Sequence, residues 1–335
     1  MAMIYQLVEK RRIFFLFSGT ITALGVILMI YSTITTGKPI QLGIDFTGGT
    51  IFELQFTEPV GEQQIRDVLT EAGFQELVVQ QLVPLRRSEL EEGGTDFPDG
   101  SRWSVRTEEA DADTITLTLD KLETDIAPLD REATSTAEVS GQVGGEVTRA
   151  AVVATIATTI VISIFIWFAF RKVPHPFRYG VCAILAMFHD LLVMLTAISI
   201  FGLTFDWQAD ALYLTALLTV LGFSVQDTIV VFDRIRENIN KRQNETYEMI
   251  VNRSVLETIH RSLATQLNAI FVMVAILLFG GETIRHFIAV LLIGLVSGTY
   301  SSIFIAVPLL VSWELGEIPI VNRYLKEKRP ANGTI

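Results

Sequence analysis

Two aspartates stand inside stretches of chain that are otherwise apolar and one arginine opens another, and these are the residues whose surroundings most demand a chemical explanation. Asp190, beside His189, falls near the middle of one such stretch. Asp227 lies in Phe223-Ser224-Val225-Gln226-Asp227-Thr228, about 9 Å of helix rise before Asp233 marks a polar end. A lone charge in hydrocarbon costs several kcal/mol and persists only if it is paired, hydrated or neutralised. A carboxylate in such a place is a candidate for taking up and releasing protons. Gln226 and Thr228 bring hydrogen-bonding groups beside Asp227 in the chain. Arg261 opens a later apolar stretch at a comparable depth. A guanidinium keeps its proton while a carboxylate can accept one, so Asp227 and Arg261 would form a pair that alternates between ionised and separated. Simpler readings stay open for each residue: a helix-end carboxylate reaching headgroup water for Asp227, a static glue held by a neighbouring Ser or Thr for Asp190, a membrane-surface anchor for Arg261.

Other chemistries find no residues to carry them. No G-x-x-x-x-G-K-[ST] occurs, and Gly37-Lys38 is followed by Pro39 without the upstream glycine of a phosphate loop, so ATP hydrolysis by that route is excluded. The histidines, His175, His189, His260 and His286, are scattered and Cys182 stands alone in an apolar run, which leaves no metal cluster, no disulfide and no expected cofactor. Asp96, Asp99, Asp111 and Asp113 lack the spacing of an EF-hand and read as solvated acidic surface rather than a calcium site. The chain is not read as an enzyme.

The elements that would place these residues are membrane spans. Half of the 335 residues are hydrophobic and the mean hydropathy is +0.43, too apolar for an ordinary soluble protein of this length. A span needs about 20 predominantly apolar residues. Six stretches qualify, at 13–32, 150–170, 179–203, 211–232, 263–279 and 287–313. The first follows Lys10, Arg11 and Arg12 like a signal peptide, but its apolar run is long and Thr35-Thr36-Gly37-Lys38-Pro39 offers no small-x-small cleavage pattern, so an uncleaved anchor is favoured. Gly294-x-x-x-Gly298 in the sixth stretch, with Ser297 and Ser301 near it, permits close helix approach.

Basic residues set the orientation, because short loops rich in Lys and Arg stay in the cytoplasm. Lys10, Arg11 and Arg12 precede the first span, and Arg171, Lys172 and Arg178 join the second to the third. Arg234, Arg236, Lys241, Arg242, Arg253 and Arg261 join the fourth to the fifth, and Arg323, Lys326, Lys328 and Arg329 fill the tail. The opposite short loops hold Arg285. Both termini are therefore expected in the cytoplasm.

Charge is segregated along the chain. Residues 37–149 carry 23 Asp plus Glu against 9 Lys plus Arg, a net of −14, while the remainder is at +3 within a total of −11. The acidic segment follows the first span and is expected outside, and its charge makes nucleic acid an unsuitable partner. It reads as a small α+β domain. A strand at 50–56 puts Phe52, Leu54 and Phe56 on one face, and Ile65, Val68, Leu69 and Ala72 recur at helical spacing. Further strands are expected at 77–83, 102–107 and 114–119, a surface loop at 86–100, and a polar tether at 123–145. The fold class is a polytopic α-helical membrane protein with six transmembrane helices and one extracytoplasmic α+β domain, an open sheet with one helix, between the first and second. The expected division is 1–36, 37–148, 149–313 and 314–335.

Several of these segments resemble one family. Gly43-Ile44-Asp45-Phe46-Thr47-Gly48-Gly49-Thr50 is similar to the signature that opens the exported domain of the SecF protein-export family. The likeness continues through His189-Asp190 and through the run 222–238, which contains Gln226-Asp227-Thr228 and Asp233-Arg234. It ends with His260-Arg261-Ser262 and Phe279-Gly280-Gly281. The resemblance implies a ferredoxin-like exported domain and kinship with the RND transporters. It implies a Sec translocase accessory in the bacterial inner membrane that uses the proton motive force late in export. Its partners would be SecD, the SecYEG channel, the SecA motor and the unfolded exported polypeptide. It also implies that Asp227 and Arg261 take part in proton conduction. Two departures are visible: Gln226 stands where many relatives have Asn, and the segment 86–113 is extra. A proton-driven RND-type exporter of a small molecule or lipid is the rival reading, and an assembly scaffold is a third.

Overall fold

The computed structural model describes residues 7–74, 77–82, 97–171, 173, 175–205, 207–242, 244–280 and 282–317. The chain divides into two compact units, one of Met1–Gln41 with Val153–Ile335 and the other of Leu42–Val152. In chain order the elements begin with α1 (Arg11–Thr36), α2 (Ile44–Thr47), β1 (Gly49–Gln55), α3 (Glu62–Glu71), β2 (Val78–Leu82), β3 (Arg102–Thr107) and α4 (Ala112–Asp125). They continue with β4 (Ser135–Val139), α5 (Gly141–Phe170), α6 (Pro176–Phe205), α7 (Ala211–Lys241) and α8 (Tyr247–Phe279). The last helix is broken into α9 (Glu282–Ser301), a π-helical turn at Ser302–Ala306, and α10 (Val307–Glu314).

Six helices are long and apolar enough to cross a membrane: α1, α5, α6, α7, α8 and the continuous run Ile284–Glu314. They reach 26 to 33 residues, longer than the apolar stretches, because their ends continue as polar helix. Past Phe232, for example, α7 is supported by Arg236 to Asp233 (2.5 Å), Arg234 to Glu237 (2.6 Å) and Lys241 to Glu237 (2.5 Å), ion pairs at helical spacing. The helices do not share the interior equally. In the most apolar window, 39% of the third span, 50% of the fourth and 61% of the sixth are buried, against 11% and 6% of the first two. The third, fourth and sixth are therefore the core in which a polar group is withdrawn from lipid. Gly294 and Gly298 bring α9 onto α7: a Cβ on Gly294 would lie 2.5 Å from Val220 Cγ2, and one on Gly298 3.1 Å from Ser224 Cβ.

The ends of this bundle are tied. At one end, Gln41 Nε2 donates to Gly202 O (3.1 Å), Ala209 N to Gln41 O (2.8 Å) and Ser199 Oγ to Pro39 O (3.0 Å). At the other, Arg11 pairs with Glu317 and with Glu248 (3.1 Å), while Arg178 pairs with Glu314 (2.6 Å). The first, third and fifth helices thus start at the end where the sixth finishes.

In the second unit the sheet order is β2-β3-β1-β4 with every neighbouring pair antiparallel. Leaving aside the single turn α2, the connection order is β-α-β-β-α-β, the split βαβ arrangement. Phe52, Leu54 and Phe56, as the alternation predicts, face Val79, Trp103 and Val105 and the helical residues Ile65, Leu69 and Leu122 in one core.

Two expectations for this unit are corrected. The stretch 114–119 is not a strand but the first half of α4. Its Thr-apolar alternation mimics a strand, yet Ile115, Leu119 and Leu122 are spaced to meet the core along one helix face. Asp111 caps the helix by accepting from Thr114 N at 3.0 Å, and Thr116 and Thr118 donate their hydroxyls to carbonyls four residues back. The segment 123–145 is not a polar tether: it closes α4, supplies the edge strand β4 and begins α5. The domain therefore has two packed helices rather than one. Most of the expected loop at 86–100 and the basic tail lie outside the described residues.

Candidate functional site

The Asp190 carboxylate is fully buried in α6 and is ringed by hydroxyls from two other spans. Ser224 of α7 donates to Oδ2 at 2.5 Å, Ser301 of α9 donates to the same oxygen at 2.6 Å, and Ser297 donates to Oδ1 at 2.7 Å. His189 Nδ1 lies 3.2 Å from Oδ1. A carboxylate offers about four lone-pair positions. The three hydroxyls and the imidazole occupy these positions, so the third, fourth and sixth spans are joined through one acceptor.

The polar seam runs on toward Asp227. Thr228 Oγ1 donates to Ser302 Oγ at 3.0 Å, and Ser302 in turn donates to Ser224 O (3.0 Å) or Gly298 O (2.8 Å). One turn of α7, Ser224 to Thr228, therefore touches Asp190 at its start and carries Asp227 near its end. Asp227 is 6% exposed. Its partner comes from α8, where Gln266 Nε2 donates to Oδ2 at 2.7 Å. Ser262, one turn before Gln266 on the same inward face of α8, buries an Oγ that makes no hydrogen bond among the described residues.

Two expected neighbours are absent from this site. Arg261 is exposed and forms no ion pair with Asp227; α8 turns Ser254, Thr258, Ser262 and Gln266 inward, and Arg261 stands about 100° around the helix from Ser262. Gln226 is likewise exposed, off the buried face that carries Ser224, Asp227 and Thr228. It lines a shallow apolar groove with Val161, Ile162 and Phe165 of the second span. The amide beside Asp227 is supplied by Gln266.

The glycine signature is a close-packing device in the other unit. Gly48 and Gly49 have φ of +76° and +131°, in the region that favours glycine. A Cβ on Gly48 would lie 2.5 Å from Gly141 Cα, and one on Gly49 2.5 Å from Thr107 O. Gly43 precedes the α2 turn that holds Asp45 and Phe46, and Thr148 Oγ1 donates to Phe46 O at 3.0 Å. The turn before β1 is thus clamped to the first turns of α5. Among the described residues no group of three or more His, Cys, Asp or Glu is placed to hold a metal ion.

Comparison with known proteins decides the family. The model described as protein export membrane protein SecD/SecF, C-terminal, matches residues 118–316, and that of the SecD/SecF GG motif matches residues 33–60. The protein translocase subunit SecF of Thermobaculum terrenum is 43% identical over 325 residues, covering 92% of this chain and 94% of the relative. That of Anaerolinea thermophila is 38% identical over 315 residues, with 93% and 95% covered. The chain belongs to the SecD/SecF protein-export family. Among solved structures, SecDF of Thermus thermophilus, a translocon-associated membrane protein, superposes with a TM-score of 0.75 at 27% identity. The match covers 92% of this chain, which spans 38% of the solved one.

The chain is a multi-pass membrane protein with a SecF-like role in protein export, and its SecD/SecF motifs divide by task. The GG motif packs backbone against backbone. The fourth-span motif carries Asp227 and then leaves the apolar zone as a polar strap: Arg234 pairs with Glu257 at 2.6 Å, and Asn238 Nδ2 donates to Glu257 and to Ser254, each at 2.9 Å. Asp233 pairs locally with Arg236. The residues that sequence reasoning passed over are Ser302 and Gln266, with Ser297 and Ser301 seen there only as small neighbours of the glycine pair. Their signal was periodic: Ser297 and Ser301 recur at i and i+4, as do Ser262 and Gln266.

Proposed function

We propose that this chain couples the proton motive force to late steps of protein export, with Asp227 as the residue that takes and releases the proton. The observation that carries the reading is that Asp227, buried in a spanning helix, is held by a neutral amide. A fixed cation would keep a carboxylate ionised. Gln266 instead serves either form, because its NH2 donates to a carboxylate and its carbonyl can accept from a carboxylic acid. Arg261, held apart here, corresponds to the separated member of the alternating pair, and Asp190 is a second coupling group behind it. Each elementary charge crossing the membrane brings about 2.3 kcal/mol per 100 mV, enough to bias two packings of a bundle but small beside the unfolding of cargo. Repeated small strokes fit that energy.

What lies exposed supports a partner helix. Arg261, Thr265 and Asn268 form an exposed polar stripe on α8, with Gln226 exposed on α7. Polar side chains on the outer face of a spanning helix are costly toward lipid and call for a partner helix. SecD is the partner assigned to that face, in a bacterial inner-membrane complex working beside SecYEG and SecA on an unfolded exported polypeptide. We assign the end bearing Arg11, Arg178 and Glu317 to the cytoplasm, and the β-α-β-β-α-β domain, ferredoxin-like in connectivity, to the outside. The test is Asp227→Asn assayed with its partner for gradient-stimulated export. Loss of the gradient-stimulated part of export is expected, with gradient-independent export retained. Export stimulated at the wild-type rate would overturn the reading.

A further inference from the structure

The sixth span contains a feature that the proton-coupling reading does not use. Its π-helical turn, Ser302–Ala306, sits at the polar seam and leads directly into α10. Turns of this kind are uncommon and cluster at functional positions. Pro308 explains it locally, since proline lacks an N–H and its ring crowds the carbonyl four residues back, that of Phe304. The wider turn has a consequence for the seam. Ser301 and Ser302 are consecutive, and both are fully buried and bonded into it, Ser301 to Asp190 and Ser302 to Thr228 and Ser224 O.

We infer that this π turn reads the protonation of the carboxylate seam and passes it, through α10, to the ion pairs that hold the far end of the bundle. The inference rests on the proton-coupling reading above and adds Ser301, Ser302 and Pro308 as positioning residues. Oδ2 of Asp190 accepts from both Ser224 and Ser301. A proton on Oδ2 must itself be donated to an acceptor, so one of those two hydroxyls has to turn away. Ser301 has somewhere to go: its Oγ lies 3.2 Å from Gly298 O, on its own helix. Turned back onto that carbonyl it no longer ties the helix to Asp190, and the turn beyond it is free to repack. The titratable groups in contact with the seam are few. His189 lies beside Asp190 on α6, and Tyr300 of α9 stands near it with its hydroxyl 3.2 Å from Ser18 Oγ of α1; α7 brings Asp227, and α8 faces it with the amide of Gln266.

What lies downstream makes a small repacking visible. α10 ends at Glu314, which pairs with Arg178 at the start of α6. Just beyond it, Glu317 pairs with Arg11 at the start of α1, and Arg11 also holds Glu248 at the start of α8. Rewinding the π turn into α-helix would rotate and shift α10 by about one residue, roughly 1.5 Å along its axis. That displacement would break or re-form pairs made by three other spans.

The experiment uses the full chain with its partner in lipid nanodiscs, with spin labels at Met249 and Leu315, both exposed, as pH is lowered from mildly alkaline to mildly acidic. The expected result is a pH-dependent shift of the label distance by about 1.5 Å. Ser301→Ala and Pro308→Ala should abolish both that shift and gradient-stimulated export, and Ser301→Thr, which keeps the hydroxyl, should restore both. The inference fails if the otherwise unaltered protein shows no pH-dependent shift, an outcome independent of how the variants fold. It also fails if Ser301→Ala and Pro308→Ala keep the wild-type shift. When Asp227→Asn abolishes stimulated export in either of those cases, the proton-coupling reading stands without the relay; when Asp227→Asn leaves stimulation intact, that reading falls by itself.

Discussion

Asp190 and Asp227 are the same residue type in neighbouring spans, and the bundle treats them in opposite ways. Asp190 has its acceptor positions filled by hydroxyls from two helices and the ring of His189, and none of its surface is exposed. Among the described residues Asp227 is hydrogen-bonded by an amide, that of Gln266, and it retains a trace of exposure. A saturated site takes a proton only by releasing one of the hydroxyls that tie it to other spans. A sparsely held one can change state while displacing a single side chain. The contrast separates a residue whose protonation is tied to the packing of other helices from one that changes with little rearrangement, and it can be broken by asking each to do the work of the other.

The largest effect is expected from Asp190→Ala. Three buried serine hydroxyls lose their acceptor, and each costs about 1–3 kcal/mol if left unsatisfied. Even partial compensation by helix carbonyls leaves a loss that should appear as poor accumulation and an early thermal midpoint in detergent. Asp190→Asn preserves the volume and one acceptor oxygen and should accumulate better. If the alanine variant melts with the wild type, the hydroxyl ring is not structural and the comparison collapses. Gly294→Val comes next, since even a Cβ would lie 2.5 Å from Val220. Overpacking of this kind costs about 1–3 kcal/mol, and a neutral thermal shift would show that α9 has room to retreat from α7.

Gln266→Leu should do the reverse of Asp190→Ala. It removes one hydrogen bond to a carboxylate, worth about 1.5–3 kcal/mol, so stability falls by less than in Asp190→Ala, where three hydroxyls lose their acceptor. Export stimulated by the gradient should nevertheless fall, because Asp227 loses the group that serves both of its protonation states. Gln266→Asn, shorter by one methylene, is expected to be intermediate. A leucine variant with wild-type stimulation would remove Gln266 from the site.

How much of this the sequence revealed depended on whether one periodicity could be read alone. Span number, the strand 50–56 and the helix near 65 were legible because their apolar pattern admits one answer. The stretch 114–119 was not, because Thr-Ile-Thr-Leu-Thr-Leu alternates like a strand while also supplying Ile115 and Leu119 four residues apart; only the cap at Asp111 distinguishes them. Asp190 and Asp227 stood out as charges in apolar runs, but their neighbours were judged by adjacency in the chain, and adjacent helical residues point about 100° apart. Gln226 and Arg261 therefore looked like neighbours of Asp227 and stand apart from it in this packing, while Gln266, on the inward face of another helix, was overlooked. The π turn had a legible cause in Pro308, but its consequence, two consecutive serines in one seam, requires the packed bundle.

The smallest predicted effect lies in the other unit, where a carboxylate does a job unlike either membrane aspartate. Asp111 is solvent-exposed and caps α4, and hydrogen bonds from the Thr114 side chain and then its backbone N–H hold its carboxyl below the ordinary 3.8. Because the folded-state value is the lower one, the charged cap stabilises α4 above the unfolded value, and that contribution disappears as pH falls through the folded one. Asp111→Ala should therefore speed backbone exchange in 112–118 at neutral pH, leaving the buried spans untouched, and the difference from wild type should shrink in acid. Asp111→Asn keeps a cap without a titration and should show no such convergence. If the alanine variant differs from wild type equally at both pH values, the charge contributes nothing and only the geometry of the cap matters, which would make Asp111 a static cap rather than a residue that answers to protons.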